Sequence, residues 1–91
     1  MKFLSTWMVR PGATKEAVAR FLAGQATPPA GVTLLGRWHK ADLSGGYTLV
    51  ESENPNALYE SAAVWIDVLE IHSSVVIGDA EAGPILAKIF K

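Results

Sequence analysis

The chain contains no cysteine, and that single absence removes several kinds of protein at once. Thiol nucleophiles, thiolate zinc sites and the disulfide scaffolds of small secreted proteins are all excluded. Histidine is scarce: His39 and His72 are the only two, so a metal site would rest mainly on carboxylates, and none is expected. No apolar run approaches the roughly 18–20 residues that span a bilayer. The stretch Phe3–Val9 is too short and too alternating for a signal-peptide core, and it runs straight into Arg10-Pro11. A cytoplasmic protein with no membrane partner is the expectation. Neither a phosphate-cradling glycine loop nor a nucleophile–base–acid order is present, and Ser44-Gly45-Gly46 reads as turn chemistry. No cofactor is implied.

What remains is a chain of 91 residues, 49% hydrophobic, with a net charge of −1. That is the composition of an ordinary globular protein with room for one core, a single domain over 1–91. A core this small is marginal without help. With disulfides excluded, oligomerisation is the usual remedy.

The small net charge conceals an asymmetry. Residues 1–40 hold Lys2, Arg10, Lys15, Arg20, Arg37 and Lys40 against the one acid Glu16. Residues 41–87 hold eight acids and no base. The bases are scattered singly, without the clustering and interleaved aromatics that nucleic-acid binding wants, so no nucleic-acid partner is expected. Either the two halves neutralise each other within the fold, or the basic half of one chain steers the acidic half of another.

Residues 2–9 alternate, with Phe3, Ser5, Trp7 and Val9 on one face, which is the period of a strand. Pro11-Gly12 breaks it and Thr14 is a good N-cap for a helix. In that helix Ala17, Val18, Phe21, Leu22 and Gln25 form the apolar stripe, Glu16 pairs with Arg20 at i,i+4, and Gly24 closes the element. After the extended loop 27–31, Val32–Lys40 and Gly46–Glu51 read as a hairpin joined through Asp42, Ser44 and Gly45. Asn54-Pro55 starts a second helix whose stripe is Leu58, Ala62, Trp65, Ile66 and Leu69, with Glu60 and Asp67 opposite. Ile71–Ile77 is a fourth strand. A last helix begins at Asp79 or, since proline suits a first turn, at Gly83-Pro84.

The order β-α-β-β-α-β plus a tail helix is that of an α+β, ferredoxin-like domain. Right-handed crossovers fold it into a four-stranded antiparallel sheet of order 4-1-3-2 with both main helices on one face. The other face should be polar if it meets water. Yet Val32, Leu34, Leu35 and Trp38 on the second strand, and the mixed apolar residues of the first and fourth, leave it apolar. A tail helix of about ten residues is too short to cover four strands. A homodimer packed sheet against sheet is the expected solution.

The hairpin carries a resemblance. Gly36-Arg37-Trp38-His39, then Asp42, Ser44-Gly45-Gly46-Tyr47 and Val50-Glu51, together with Trp7, the Pro28-Pro29 loop and Asn54-Pro55, resemble a bacterial domain-of-unknown-function family of small dimeric α/β-barrel proteins. The resemblance spans nearly the whole chain. It brings no catalytic residue with it, and its wider superfamily mixes cofactor-free oxygenases, haem degraders, isomerases and dehalogenating enzymes with inactive members.

Chemistry-bearing residues concentrate near that hairpin. If His39 faces Gly46, then Arg37, His39 and Thr48 share one face with Leu35 and Val50, while Trp38, Tyr47, Leu49, Leu34 and Glu51 share the other. Imidazole titrates near neutral pH, so a histidine beside an arginine suits proton abstraction from a substrate whose anion the arginine steadies. Trp7, Arg37, Trp38, His39 and Tyr47 are therefore the candidate ligand-binding set, with His39 the candidate base. The plainer alternative is that Arg37 and His39 are solvated edge residues and the tryptophans fill core or interface. His39 and His72 lie on opposite sheet edges, about 14 Å apart at ~4.8 Å per strand, and make no metal pair within one chain. Two functions compete: a small-ligand protein, with cofactor-free catalysis as its enzymatic form, and a non-catalytic accessory module whose pocket is filled by its own tryptophans.

Overall fold

The computed structural model describes residues 1–91. Seven elements follow one another: β1 (Lys2–Val9), α1 (Thr14–Leu22), β2 (Val32–His39), β3 (Gly45–Ser52), α2 (Pro55–Trp65), β4 (Leu69–Val76) and α3 (Asp79–Ile89). All strand pairs are antiparallel and the sheet order is β2-β3-β1-β4, the expected 4-1-3-2 read from the other side. The chain has the ferredoxin-like α+β fold, with α1 and α2 over one face of the sheet.

Several element ends differ from expectation, each for a local reason. Thr14 is the first helical residue rather than the cap, because the turn closed by Ala13 N–H on the Arg10 carbonyl (3.0 Å) makes Ala13 the N-cap. The helix then ends where Gly24, at φ 81°, turns its N–H back to the Phe21 carbonyl. Leu22 falls off the apolar stripe and is 77% exposed. Asn54 caps α2 as expected, its side chain accepting from Asn56 N–H at 3.0 Å. Helix α2 stops at Trp65, so Leu69 belongs to β4 and not to the helix stripe.

The glycines after the hairpin turn are strand residues. Gly45 and Gly46 are buried in β3, where β1 and β2 approach too closely to admit a Cβ: one on Gly45 would strike the Trp7 carbonyl, and one on Gly46 the Trp38 carbonyl. The turn itself lies just before them. There Asp42 accepts from both the N–H (3.0 Å) and the hydroxyl (2.6 Å) of Ser44, and Leu43 sits at φ 69°. Those bonds hold the Asp42 carboxyl below its ordinary range.

A β-bulge lies between Leu34 and Gly36. His39 faces Gly46 and Arg37 faces Thr48, but Leu34, not Leu35, faces Val50. The extra residue exchanges the expected faces of those two leucines. Opposite charges of the two sequence halves meet within the chain, since Arg20 on α1 binds Asp67 through two hydrogen bonds of 2.6 and 3.0 Å.

Helix α3 begins at Asp79 and runs through Pro84. It buries no residue, and Ile85, Leu86, Ile89 and Phe90 are all more than half exposed. No helix is long and apolar enough to cross a membrane.

Candidate functional site

Strand pairing arranges the helix-facing side of the sheet into transverse rows. One row holds Ser73, Ser5, Thr48 and Arg37, one residue from each strand in spatial order. The next holds Ile71, Trp7, Gly46 and His39, and on the other side lie Val75, Phe3, Val50 and Leu34. A line of polar groups thus crosses the face that in an ordinary core would be wholly apolar.

Helices α1 and α2 do not close down on this face. Between them and the sheet is a cleft of about 680 Å³. Ala17, Val18 and Phe21 on α1, and Leu58, Ala62 and Trp65 on α2, form its roof.

Each polar group on the floor is held in place. The Ser5 and Ser73 hydroxyls are bonded to each other at 2.6 Å. Trp7 Nε1 donates to Thr48 Oγ1 at 3.1 Å, which lays the indole along the floor. Gly46 makes room for it, since a Cβ there would come within 2.5 Å of the Trp7 ring. The His39 imidazole meets the Trp7 and Phe21 rings edge-on, with centroids at 5.3 and 5.2 Å. Arg37 Nη2 donates to the Ala26 carbonyl at 2.7 Å, tying β2 to the loop after α1, and its guanidinium lies 5.6 Å from the Phe21 centroid.

Of the five residues singled out from the sequence, Trp7, Arg37 and His39 come together in this cleft. Trp38 and Tyr47 do not join them. They face each other across β2 and β3 on the opposite, open face, because neighbours along a strand point to opposite sides. Trp38 lies over Gly36, whose missing side chain gives the indole its space. Lys40 stands over Tyr47, 5.7 Å from the ring centroid. His72 is on that same face, and no group of three or more His, Asp or Glu side chains could hold a metal ion.

Ser5, Ser73 and Phe21 also line the cleft, outside the set expected from the sequence. Ser5 was legible in principle, as the polar interruption between Phe3 and Trp7 on an otherwise apolar face. Ser73 and Phe21 needed the strand register and the helix position.

The sequence matches, over residues 1–90, the family described as Domain of unknown function (DUF3303). The chain belongs to that family. The resemblance carried by the Arg37–His39 hairpin is therefore borne out, and the family brings no assigned activity. No functionally curated protein matches the sequence. Among solved structures, the chain is similar to 5-chloro-2-hydroxyhydroquinone dehydrochlorinase (TftG) from Burkholderia phenoliruptrix AC1100, in complex with 2,5-dihydroxybenzoquinone. The TM-score is 0.61 at 16% identity, covering 89% of this chain and 98% of that one. It is also similar to Rv0793 from Mycobacterium tuberculosis, with a TM-score of 0.51 at 15% identity over 87% of this chain and 96% of that one. At such identities the likeness concerns the fold.

Proposed function

We propose that this family member is a small-molecule-binding homodimer, its ligand lying in the cleft against Trp7, Arg37 and His39. The observation that carries the reading is the cleft itself. About 680 Å³ falls within the ~300–1,000 Å³ of typical ligand sites, and an apolar wall with a few convergent polar groups is their usual make-up. The accessory-module alternative calls for a pocket filled by the tryptophans. Trp7, bonded to Thr48, and Trp65 on the roof instead line a cleft that stays open, and Trp38 is on the other face. The dehydrochlorinase of similar fold, solved with a dihydroxybenzoquinone, adds an analogy at the level of architecture. His39 is the one imidazole on the cleft and would carry any proton transfer made there. A cytoplasmic location accompanies this reading.

The protomer's surface supports the second copy. The protomer exposes 6471 Å², whereas a compact 9.7 kDa protein exposes about 5,100 Å². Its radius of gyration is 15.4 Å against an expected value of about 12 Å. The excess, doubled to about 2,700 Å², falls within the ~2,000–5,000 Å² that obligate homodimers bury. The open face supplies Leu4, Leu35, Leu49, Met8, Trp38 and Tyr47. Helix α3 adds its own apolar stripe. An 11-residue helix with Gly83-Pro84 at its centre has little stability alone, so packing against a second copy is what would keep it formed.

Native mass spectrometry of the purified protein tests both parts. A dimer that carries a small organic molecule, lost on denaturation and absent from the His39→Ala variant, is the expected result. An empty dimer that binds none of a panel of small organic molecules overturns the ligand-binding reading, and a monomer at micromolar concentration overturns the dimer.

A further inference from the structure

We propose that the ligand of this cleft is an organic anion, its acidic group held by Arg37 beside His39 and its flat apolar body lying along Trp7 and Phe21. The proposal rests on the cleft being a ligand site and adds the charge and shape of what it takes.

Charge selection is written into the lining. The chain has nine Asp and Glu residues, and none lines the cleft. Arg37 is partly buried and has no carboxylate partner: its one protein hydrogen bond goes to the Ala26 carbonyl. Arg20 makes the contrast. It is also partly buried, yet it is neutralised twice, by Glu16 at 3.0 Å and by Asp67 at 2.6 Å. A cation withdrawn from water is ordinarily paired, and an unpaired one with spare N–H donors is a place for an anion.

The neighbouring groups point the same way. Neither ring nitrogen of His39 has a protein partner, so both are free to meet a ligand, and the ring is fixed by edge contacts with Trp7 and Phe21. Lys40, the other cation that lines the cleft, stands over the Tyr47 ring at 5.7 Å, and the remaining groups on the sheet floor are the hydroxyls of Ser5, Ser73 and Thr48, which can donate to an oxygen as well as accept. A cationic ligand would find no acid to meet it and a guanidinium to repel it. A neutral one would leave Arg37 uncompensated. The walls formed by two indoles and a phenyl ring favour a flat body, which stacks or meets them edge-on.

A pair of fluorescent probes that differ only in the acidic group tests this. Anilinonaphthalene sulfonate and N-phenylnaphthylamine are titrated against the intact wild-type protein and against Arg37→Gln. The sulfonate should bind wild type at least about tenfold more tightly than the neutral amine, the gain expected from a charge-assisted hydrogen bond. Arg37→Gln should erase that preference while the neutral probe keeps its affinity within about twofold. His39→Gln, which breaks no protein hydrogen bond, should narrow the preference severalfold and serves where loss of the Ala26 bond unfolds the first variant. Equal affinities in wild type, or a preference that survives both substitutions, overturn the anion proposal and leave the ligand site standing. If neither probe binds, the ligand site falls with it.

Discussion

The Trp7 indole N–H donates to Thr48 Oγ1 at 3.1 Å across the β1–β3 pair, although neither residue is the other's direct partner: Trp7 faces Gly46 and Thr48 faces Ser5. This diagonal bond is what turns an aromatic side chain into a cleft wall instead of a core plug. Thr48→Val keeps the shape and removes the acceptor. It should cost about 1–2 kcal/mol in chemical denaturation, the usual price of a part-buried donor left unpaired, and shift the tryptophan emission. Unchanged stability and emission would show that the bond does not hold the ring.

Gly46→Ala should be more damaging than its size suggests. The added methyl would come within 2.5 Å of the Trp7 ring and press on the Trp38 carbonyl, so strand and indole must both move. A loss of about 1–3 kcal/mol is expected, as for other forced insertions into packed sites. Gly78→Ala, where nothing lies within 4 Å, is the matched control and should change stability far less.

Leu43 carries the one positive φ outside glycine, 69°, in the turn before β3. The left-handed conformation costs a branched side chain roughly 1–2 kcal/mol, and asparagine tolerates it better. Leu43→Asn should therefore raise the thermal midpoint, with up to about 1 kcal/mol gained. A lower midpoint would mean that Leu43 is held by contacts worth more than its backbone strain.

Arg20 governs the acid limit of the helix layer. Its guanidinium, bonded to Asp67 first and by charge second, holds the Asp67 carboxyl below its ordinary value of 3.8. A carboxyl depressed on folding contributes stability that is complete above the unfolded value and disappears as pH falls through the folded one. Wild type should lose thermal stability as pH drops below 3.8 more steeply than Asp67→Asn does. Parallel curves would show that the pair contributes nothing.

A chain ending at Gly78 removes α3 and should be monomeric by size-exclusion chromatography with light scattering, while the sheet and its cleft remain folded by circular dichroism. A truncated chain that stays dimeric would assign the interface to the open sheet face alone.

The fold was legible because its signals are local. The alternation of β1, the Asn54-Pro55 start and the hairpin loop each declare an element without reference to the rest of the chain. The site was legible only where alternation continued unbroken. Counting by twos from Gly46 placed Thr48 and Val50 correctly, and His39 and Arg37 with them. It failed at Leu35, where the bulge inserts a residue that no composition signal announces. Ser52 shows another limit. It is 4% exposed and accepts from Asn54 N–H while donating to the Gly31 carbonyl, pinning two distant loops. In the sequence it is merely a serine beside two glutamates.

The β2–β3 hairpin has no side chain to spare for one purpose alone. Arg37, His39 and Thr48 point to the cleft, and the residues between and opposite them, Trp38 and Tyr47, point to the face where a second copy would pack. A ligand that shifts this ribbon must shift both surfaces, since a single layer of backbone separates them. Occupancy and assembly would then be thermodynamically linked: whatever factor the ligand contributes to subunit affinity, the second subunit returns to the ligand.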